Sequence, residues 1–66
     1  MNRENEGVDW LRKQELFQGG ADYYKSKRYQ ETLDRYEEVL KLDANDVVAY
    51  VGKEIAYISR DIMSKP

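Results

Sequence analysis

The chain has 66 residues, of which 36% are charged and 41% hydrophobic, and it carries a net charge of −2 with a pI near 5.0. It contains no cysteine and no histidine, which excludes disulfide bridges, thiolate chemistry and zinc sites of the ordinary kind. The length allows one small domain, and the acidic balance argues against nucleic acid as a partner.

The first predicted element is a helix over about Val8 to Lys25. Its apolar and small residues recur three and four positions apart, as they do on the faces of an amphipathic helix. One side carries Leu16, Gly19, Gly20 and Tyr23, and another carries Trp10, Phe17, Ala21 and Tyr24. A charged turn, Ser26-Lys27-Arg28, ends the pattern.

A second helix is predicted from about Tyr29 to Leu42 because its apolar residues keep the same spacing. Two acid-first pairs four residues apart should support it, namely Glu31 with Arg35 and Glu37 with Lys41. The break at 43–46 then offers Asn45 or Asp46 as a cap for a third helix.

The third predicted helix covers about Val47 to Met63. Its β-branched residues are also common in strands, but their three-four spacing persists over about four turns and never alternates with a period of two. The stripe consists of Val48, Val51, Ile55, Ile58 and Ile62. No apolar run approaches the roughly 18 residues of a membrane span, and the first six residues lack the apolar centre of a signal peptide. We therefore expect no membrane association and a cytoplasmic location.

The spacing of several residues matches a known repeat. Leu16-x2-Gly19-Gly20-x2-Tyr23 is followed by Thr32-x3-Tyr36 and then by Ala44. This resembles the tetratricopeptide signature, Trp-x2-Leu-Gly-x2-Tyr, Ala-x3-Phe and Pro, in a unit of about 34 residues. The resemblance implies an all-α fold with right-handed repeat-type packing. Its units would be an extension at 1–12 that could continue the first helix, a helical hairpin at 13–46, a capping helix at 47–63 and a tail at 64–66.

The resemblance also gives roles to single residues. Gly20 lets the first two helices approach closely, because no side chain stands between their backbones. Thr32 replaces an alanine at a tight site, and Ala44 replaces the usual proline. Glu54 stands where a second unit would have its small residue, which suits the solvated terminal helix of a repeat array.

In the tetratricopeptide family, the first helices of successive repeats line a concave groove that binds peptides or other chains. By position, the residues that would line it here, and would form the partner-binding site, are Trp10, Gln14, Phe17, Ala21, Tyr24, Val48, Val51, Ile55 and Ile58. For Val51 and Ile55 a place in the hairpin's own core is an equal alternative. Some members hold a peptide's terminal carboxylate with polar groups, but this chain has Phe17, Val51 and Gly52 there, and only Gln18 is roughly suitable.

These residues predict a protein–protein interaction module that self-associates, because an apolar groove on so short a chain would otherwise be exposed. The alternative is a monomeric adaptor that binds a partner helix or peptide in the groove. We predict no enzyme, cofactor or metal, because Glu37-Glu38 and Asp43 with Asp46 form no ligand set or acid–base dyad. The basic turn around Lys27 has the character of a solvated surface.

Overall fold

The computed structural model describes residues 3–65, with side chains described from Asp9 onward. The described chain forms three α-helices, α1 (Arg3–Lys25), α2 (Tyr29–Leu42) and α3 (Val47–Ser64), and no strand. Helix α2 packs against both α1 and α3. This confirms the predicted all-α fold, an antiparallel helical hairpin followed by a third helix.

Two helix ends differ from the prediction. Helix α1 begins at Arg3, five residues before the start that the periodicity predicted, and the extension continues the first helix over residues 3–12, as the resemblance allowed. Helix α3 includes Ser64, which was predicted to belong to the tail. Residues 1, 2 and 66, which fall in the predicted extension and tail, lie outside the described residues.

The turn between α1 and α2 is closed by the carbonyl groups at the end of α1. The N–H of Arg28 donates to the Tyr23 carbonyl at 2.9 Å, and the N–H of Lys27 donates to the Tyr24 carbonyl at 3.0 Å. Lys27 has a φ of 63°, so these bonds form a Schellman motif with a lysine where glycine is usual. The Arg28 guanidinium binds Glu31 at 2.6 Å and lies 5.0 Å from the Tyr23 ring centroid. The basic turn is therefore tied to its own helices.

Of the two predicted caps for α3, Asn45 and Asp46, it is Asp46 that caps the helix. Its carboxylate accepts a hydrogen bond from the Ala49 N–H at 3.1 Å and lies 2.6 Å from the Lys13 ammonium group. Lys13 also reaches Asp43, at 3.2 Å. The Lys13 hydrogen bond is the main reason that the pKa of Asp46 lies below its usual value, and the Ala49 N–H adds to it. One carboxylate thus caps α3 and joins it to α1.

We expect Asp46 to make the fold acid-sensitive. Because its pKa is lower in the folded chain than in the unfolded chain, its charge contributes stability above about pH 4, and this contribution is lost as the pH falls through the lower folded value. Asp46→Asn should therefore cost most near neutral pH and progressively less below about pH 4. Asp46→Ala also removes the cap acceptor and should cost about 1 kcal/mol more than Asp46→Asn at every pH.

Urea unfolding followed by circular dichroism across this pH range measures these free energies. Glu31, whose pKa is lowered by its hydrogen bond from Arg28, is unchanged in both variants, so its own acid dependence cancels from the comparison. A cost of Asp46→Asn that is the same at all pH values would contradict the ionic role of Asp46.

The buried core is small and lies where the three helices meet. Leu16 from α1, Val39 from α2 and Ala49 from α3 form one cluster, against which Phe17 and Leu40 pack. Leu33, Thr32 and Ala56 are also buried. The Thr32 hydroxyl lies 3.2 Å from the Gly20 carbonyl oxygen of α1 and 3.1 Å from the Arg28 carbonyl oxygen. Thr32, which stands where the tetratricopeptide signature has an alanine, therefore has hydrogen-bond acceptors for its hydroxyl group.

The ring of Tyr36 in α2 is held between glycines of the two neighbouring helices. A Cβ atom built on Gly20 of α1 would lie 2.6 Å from Tyr36 Cε1, and one built on Gly52 of α3 would lie 2.5 Å from Tyr36 Cε2. Real Cβ contacts are essentially never this short. Close packing at Gly20 was predicted with no side chain between the backbones, but what the glycine accommodates is the Tyr36 ring, and Gly52 accommodates the other edge of the same ring.

The predicted ion pairs along α2 are wrong. Arg35 binds Glu38 at 2.5 Å instead of Glu31, and its guanidinium lies 5.9 Å from the Tyr23 ring centroid. Glu37 faces α3, where it lies 3.6 Å from the Lys53 ammonium group. Contacts with α1 and α3 thus decide which ion pairs α2 forms. The spacing of charges within one helix does not contain this information.

Candidate functional site

A groove runs between α1 and α3 on one face of the molecule, with Tyr36 of α2 at its floor. Its volume is about 270 Å³. Three contacts align its two walls: Lys13 with Asp46, Gly20 with Gly52 through the Tyr36 ring, and Tyr24 with Ser59. These pairs follow the same order along both helices, so α1 and α3 run parallel. The lining consists of Ala21, Tyr24, Lys25, Tyr36, Gly52 and Ile55.

Tyr24 is the aromatic residue that α1 contributes to the lining of the groove. Its hydroxyl group and that of Ser59 lie 2.8 Å apart, which ties the C-terminal half of α1 to α3. Its ring packs edge-on against Tyr29, with ring centroids 5.4 Å apart. Burial and the neighbouring Tyr24 raise the pKa of Tyr36 above its usual value, so the floor stays uncharged at neutral pH. Lys25 is the charged residue of the lining.

The α3 wall continues beyond the groove as an exposed apolar stripe. We define the concave stripe as the five residues Val48, Val51, Ile55, Ile58 and Ile62. They are spaced three, four, three and four positions apart, which places them in one row along α3. Val51 and Ile55 are 48% and 47% exposed, and Ile58 is 59% exposed. Within the described chain, the stripe has no covering partner of its own.

The structure brings only some of the predicted site residues together. Ala21, Tyr24 and Ile55 meet in the groove. Phe17 is half-buried, packs against the core cluster, and has its ring centroid 5.8 Å from that of Tyr36. Phe17, predicted as a groove residue, therefore belongs in part to the hairpin's own packing.

The remaining predicted site residues are exposed and lie along the walls. Trp10, which is 59% exposed, and Gln14 extend the α1 side towards its N-terminal half. Val48, Val51 and Ile58 extend the α3 side within the concave stripe. The exposure of Val51 and Ile55 places them at the surface of this chain rather than in its core.

Three residues of the lining were not among the predicted site residues, namely Lys25, Tyr36 and Gly52. Gly52 lies 34 residues after Gln18 and so does not fall on a glycine of the repeat signature, although it packs against Tyr36. A signal was available in the row of small residues Ala49, Gly52 and Ala56, whose spacing marks a helix face that a neighbour approaches closely. Two of these residues, Ala49 and Ala56, are fully buried.

The described residues show no group of three or more acidic side chains placed to hold a metal ion. Several carboxylates are instead paired with basic groups, among them Asp46, Glu31 and Glu38. In residues 3–65, none of the helices is long and apolar enough to cross a membrane.

Comparison with known proteins gives limited similarity. The chain is 28% identical over 58 residues to a protein of Plasmodium falciparum (isolate 3D7) named Hsp70-Hsp90 organising protein. The match covers 88% of this chain but 10% of that protein, so the chain spans about a tenth of its relative's length. No family model matches, and no solved structure gives a significant match. The similarity and the three-helix architecture together support a tetratricopeptide-like helical repeat.

Proposed function

We propose that this chain is a small protein–protein interaction module of the tetratricopeptide type, and that it self-associates through the groove and the concave stripe. The observation that carries the proposal is the unbroken row of exposed β-branched side chains on α3 beside an apolar groove. Contiguous apolar patches of this kind mark interaction surfaces in soluble proteins.

The occupant that we propose is a second copy of the chain. A core of few buried residues gives a small domain little stability, and association is a common way to add burial. In a dimer with a two-fold axis, the face that carries the groove and the concave stripe would be buried against the same face of the other copy. Trp10 and Tyr24 are of the aromatic type that often dominates the binding energy of such interfaces.

Binding, rather than catalysis, fits the polar groups of the described chain. Asp46 serves as a helix cap, and Glu31 and Glu38 neutralise arginines of the same helix or turn. The similar protein carries the name of an organiser rather than that of an enzyme. A cytoplasmic location belongs to the same proposal, since chains without cysteine need no oxidising compartment.

A monomeric adaptor is the second candidate, and the similarity to the Hsp70-Hsp90 organising protein favours it. In that case the groove would take a helix or peptide of another protein. A carboxylate-clamp mode of binding has little support. Position 52 would need an asparagine, but a Cβ atom there would lie 2.5 Å from the Tyr36 ring. Phe17 and Val51 likewise replace polar groups of the clamp.

We expect Ile58→Glu to convert the dimer into a folded monomer. Ile58 is exposed in the single chain, so the change should alter its stability by no more than about 0.5 kcal/mol. In the dimer the new carboxylate would be buried without a partner, which should raise the dissociation constant at least about 100-fold. Light scattering after gel filtration measures the mass, and circular dichroism measures the helix content.

Lys41→Glu is the control, because it introduces an acidic charge at an exposed position of α2, away from both walls of the groove. It should leave the dimer intact. If the unmodified chain has the mass of a monomer at all concentrations up to millimolar, self-association is excluded and the adaptor alternative remains. Equal loss of dimer in both variants would show that the interface is not the concave stripe.

A further inference from the structure

The outer edges of the two groove walls carry complementary residues. On α1, Leu11, Gln18 and Lys25 lie seven residues apart, each directly after a residue of the row Trp10, Phe17 and Tyr24, and Lys25 also contributes to the lining of the groove. On α3, Val47, Glu54 and Asp61 are also seven apart, just outside the concave stripe. All six are exposed, and no ion pair to Lys25, Glu54 or Asp61 forms among the residues that the structure describes.

These positions correspond to the flanking sites of a coiled-coil seam, where charges select the partner and its direction. One edge carries a base at the C-terminal end of α1, and the other carries two acids, Glu54 near the middle of α3 and Asp61 near its C-terminal end. Within one chain the two edges belong to different walls of the groove, and Lys25 forms no ion pair with Glu54 or Asp61 among the described residues. A second copy placed over the groove would bring each edge beside the opposite edge of its partner.

From this we propose that two copies pair with their concave faces together and their helices parallel, so that Lys25 of each copy lies beside Glu54 and Asp61 of the other. The inference rests on the proposed self-association and specifies its geometry. The two-fold axis then runs along the helices, and each residue of the second copy stays at the same height as in the first.

The heights follow from the contacts between α1 and α3. Lys13 meets Asp46, and Tyr24 meets Ser59, so a residue of α1 is level with one about 33 to 35 positions later. At a helical rise of about 1.5 Å per residue, Lys25 lies roughly 2–5 Å from the level of Asp61 and roughly 6–9 Å from that of Glu54. Both distances along the axis are within reach of a lysine side chain, and Lys25 lies between the two acids in height.

An antiparallel pair of copies would not place Lys25 beside Glu54 and Asp61. A two-fold axis across the middle of the helices would place the acids of α3 opposite the N-terminal half of the partner. Asp61 would then lie near Leu11 or Val47, which are apolar, and Glu54 would lie near Gln18 or a second Glu54. Contacts between like charges, or between an acid and apolar groups, weaken an interface. Charge complementarity therefore favours the parallel pair.

Charge reversal tests the contact. Lys25→Glu should raise the dissociation constant of the dimer roughly 10-fold, because the symmetric interface contains the contact twice and reversal turns attraction into repulsion. Glu54→Lys with Asp61→Lys should weaken the dimer similarly. The triple variant should return to within about 3-fold of the unmodified chain. Lys41→Glu makes the same charge change on the exposed side of α2 and should have little effect. A triple variant as weak as the single and double variants would overturn the proposal.

Helix direction can be measured separately, because the chain has no cysteine of its own. Asn45→Cys and Ser64→Cys place single labels at exposed positions near the two ends of α3, about 27 Å apart along the helix. Donor and acceptor carried on separate preparations report only distances between copies.

A parallel dimer gives strong energy transfer when both copies carry the label at 45, or both at 64, and weak transfer when one copy carries each. The reverse pattern in a proven dimer would overturn the parallel geometry and leave the proposed self-association in place. A chain that remains a monomer would overturn both.

Discussion

Replacing Gly20 with alanine is expected to destabilise the chain, whereas the same change at Gly19, one residue earlier, is expected to stabilise it. A Cβ atom at Gly20 would lie 2.6 Å from the Tyr36 ring, which must then move within a packed interface. A Cβ atom at Gly19 would lie 3.6 Å from the Arg35 Cδ atom, an ordinary contact. Both changes gain up to about 1 kcal/mol of helix propensity, so this gain cancels when the two variants are compared.

The remaining difference is the cost of overpacking, which should make Gly20→Ala about 1–3 kcal/mol less stable than Gly19→Ala in urea unfolding. Gly52→Ala should behave like Gly20→Ala, because its Cβ atom would meet the other edge of the same ring. In a Tyr36→Leu background the penalties at Gly20 and Gly52 should shrink, which a double-mutant cycle measures. If Gly20→Ala stabilises the chain as much as Gly19→Ala does, the ring is not held between the helices.

The largest single loss of stability is expected from Leu33→Ala. Leu33 is 1% exposed in the middle of α2, and truncating a buried leucine costs about 2–5 kcal/mol. Small domains have total stabilities near the lower end of about 5–15 kcal/mol, so this variant should be largely unfolded or melt far below the unmodified chain. Thermal unfolding followed by circular dichroism measures the shift.

Leu42→Ala provides the control for that change, because Leu42 lies at the end of the same helix and is 38% exposed. It should cost clearly less than Leu33→Ala, since part of its side chain is already in contact with water. Similar losses for both variants would mean that Leu33 does not occupy the core.

The bounds of α2 could be predicted from the sequence because its signals are local. Apolar spacing runs from Tyr29 to Leu42, and charged or turn-forming residues stand at both ends. The N-terminal limit of α1 could not, because residues 3–7 carry no apolar row that extends the pattern. These residues are helical, but the apolar spacing that predicts α1 starts only at about Val8.

The groove could be predicted in part, for a similar reason. The three-four spacing of Ala21, Tyr24 and Ile55 placed them on walls that do face each other. The floor depends on how deeply α3 approaches α2, and that depth is set by Gly52 against Tyr36. Such a contact between residues distant in sequence cannot be derived from the periodicity of either helix alone.

The placement of Phe17 also depends on contacts between helices that periodicity does not contain. Its spacing assigns it to the groove row with Trp10 and Tyr24. The structure places its ring centroid 5.8 Å from that of Tyr36 and packs the ring against the core cluster. Phe17→Glu would therefore disturb folding as well as binding, which is why Ile58 is the better position for a test of the interface.

The claim that the concave face binds a second copy is tested most directly by amide NMR spectra recorded from micromolar to millimolar chain. We expect the amides of Tyr24, Val51 and Ile58 to shift together along one monomer–dimer curve. Those of Asp34 and Lys41, on the exposed side of α2, should not move. Spectra that do not change with concentration, in a chain whose mass remains that of one copy, would contradict self-association. Shifts confined to Asp34, Lys41 and their neighbours would place the interface on the opposite face.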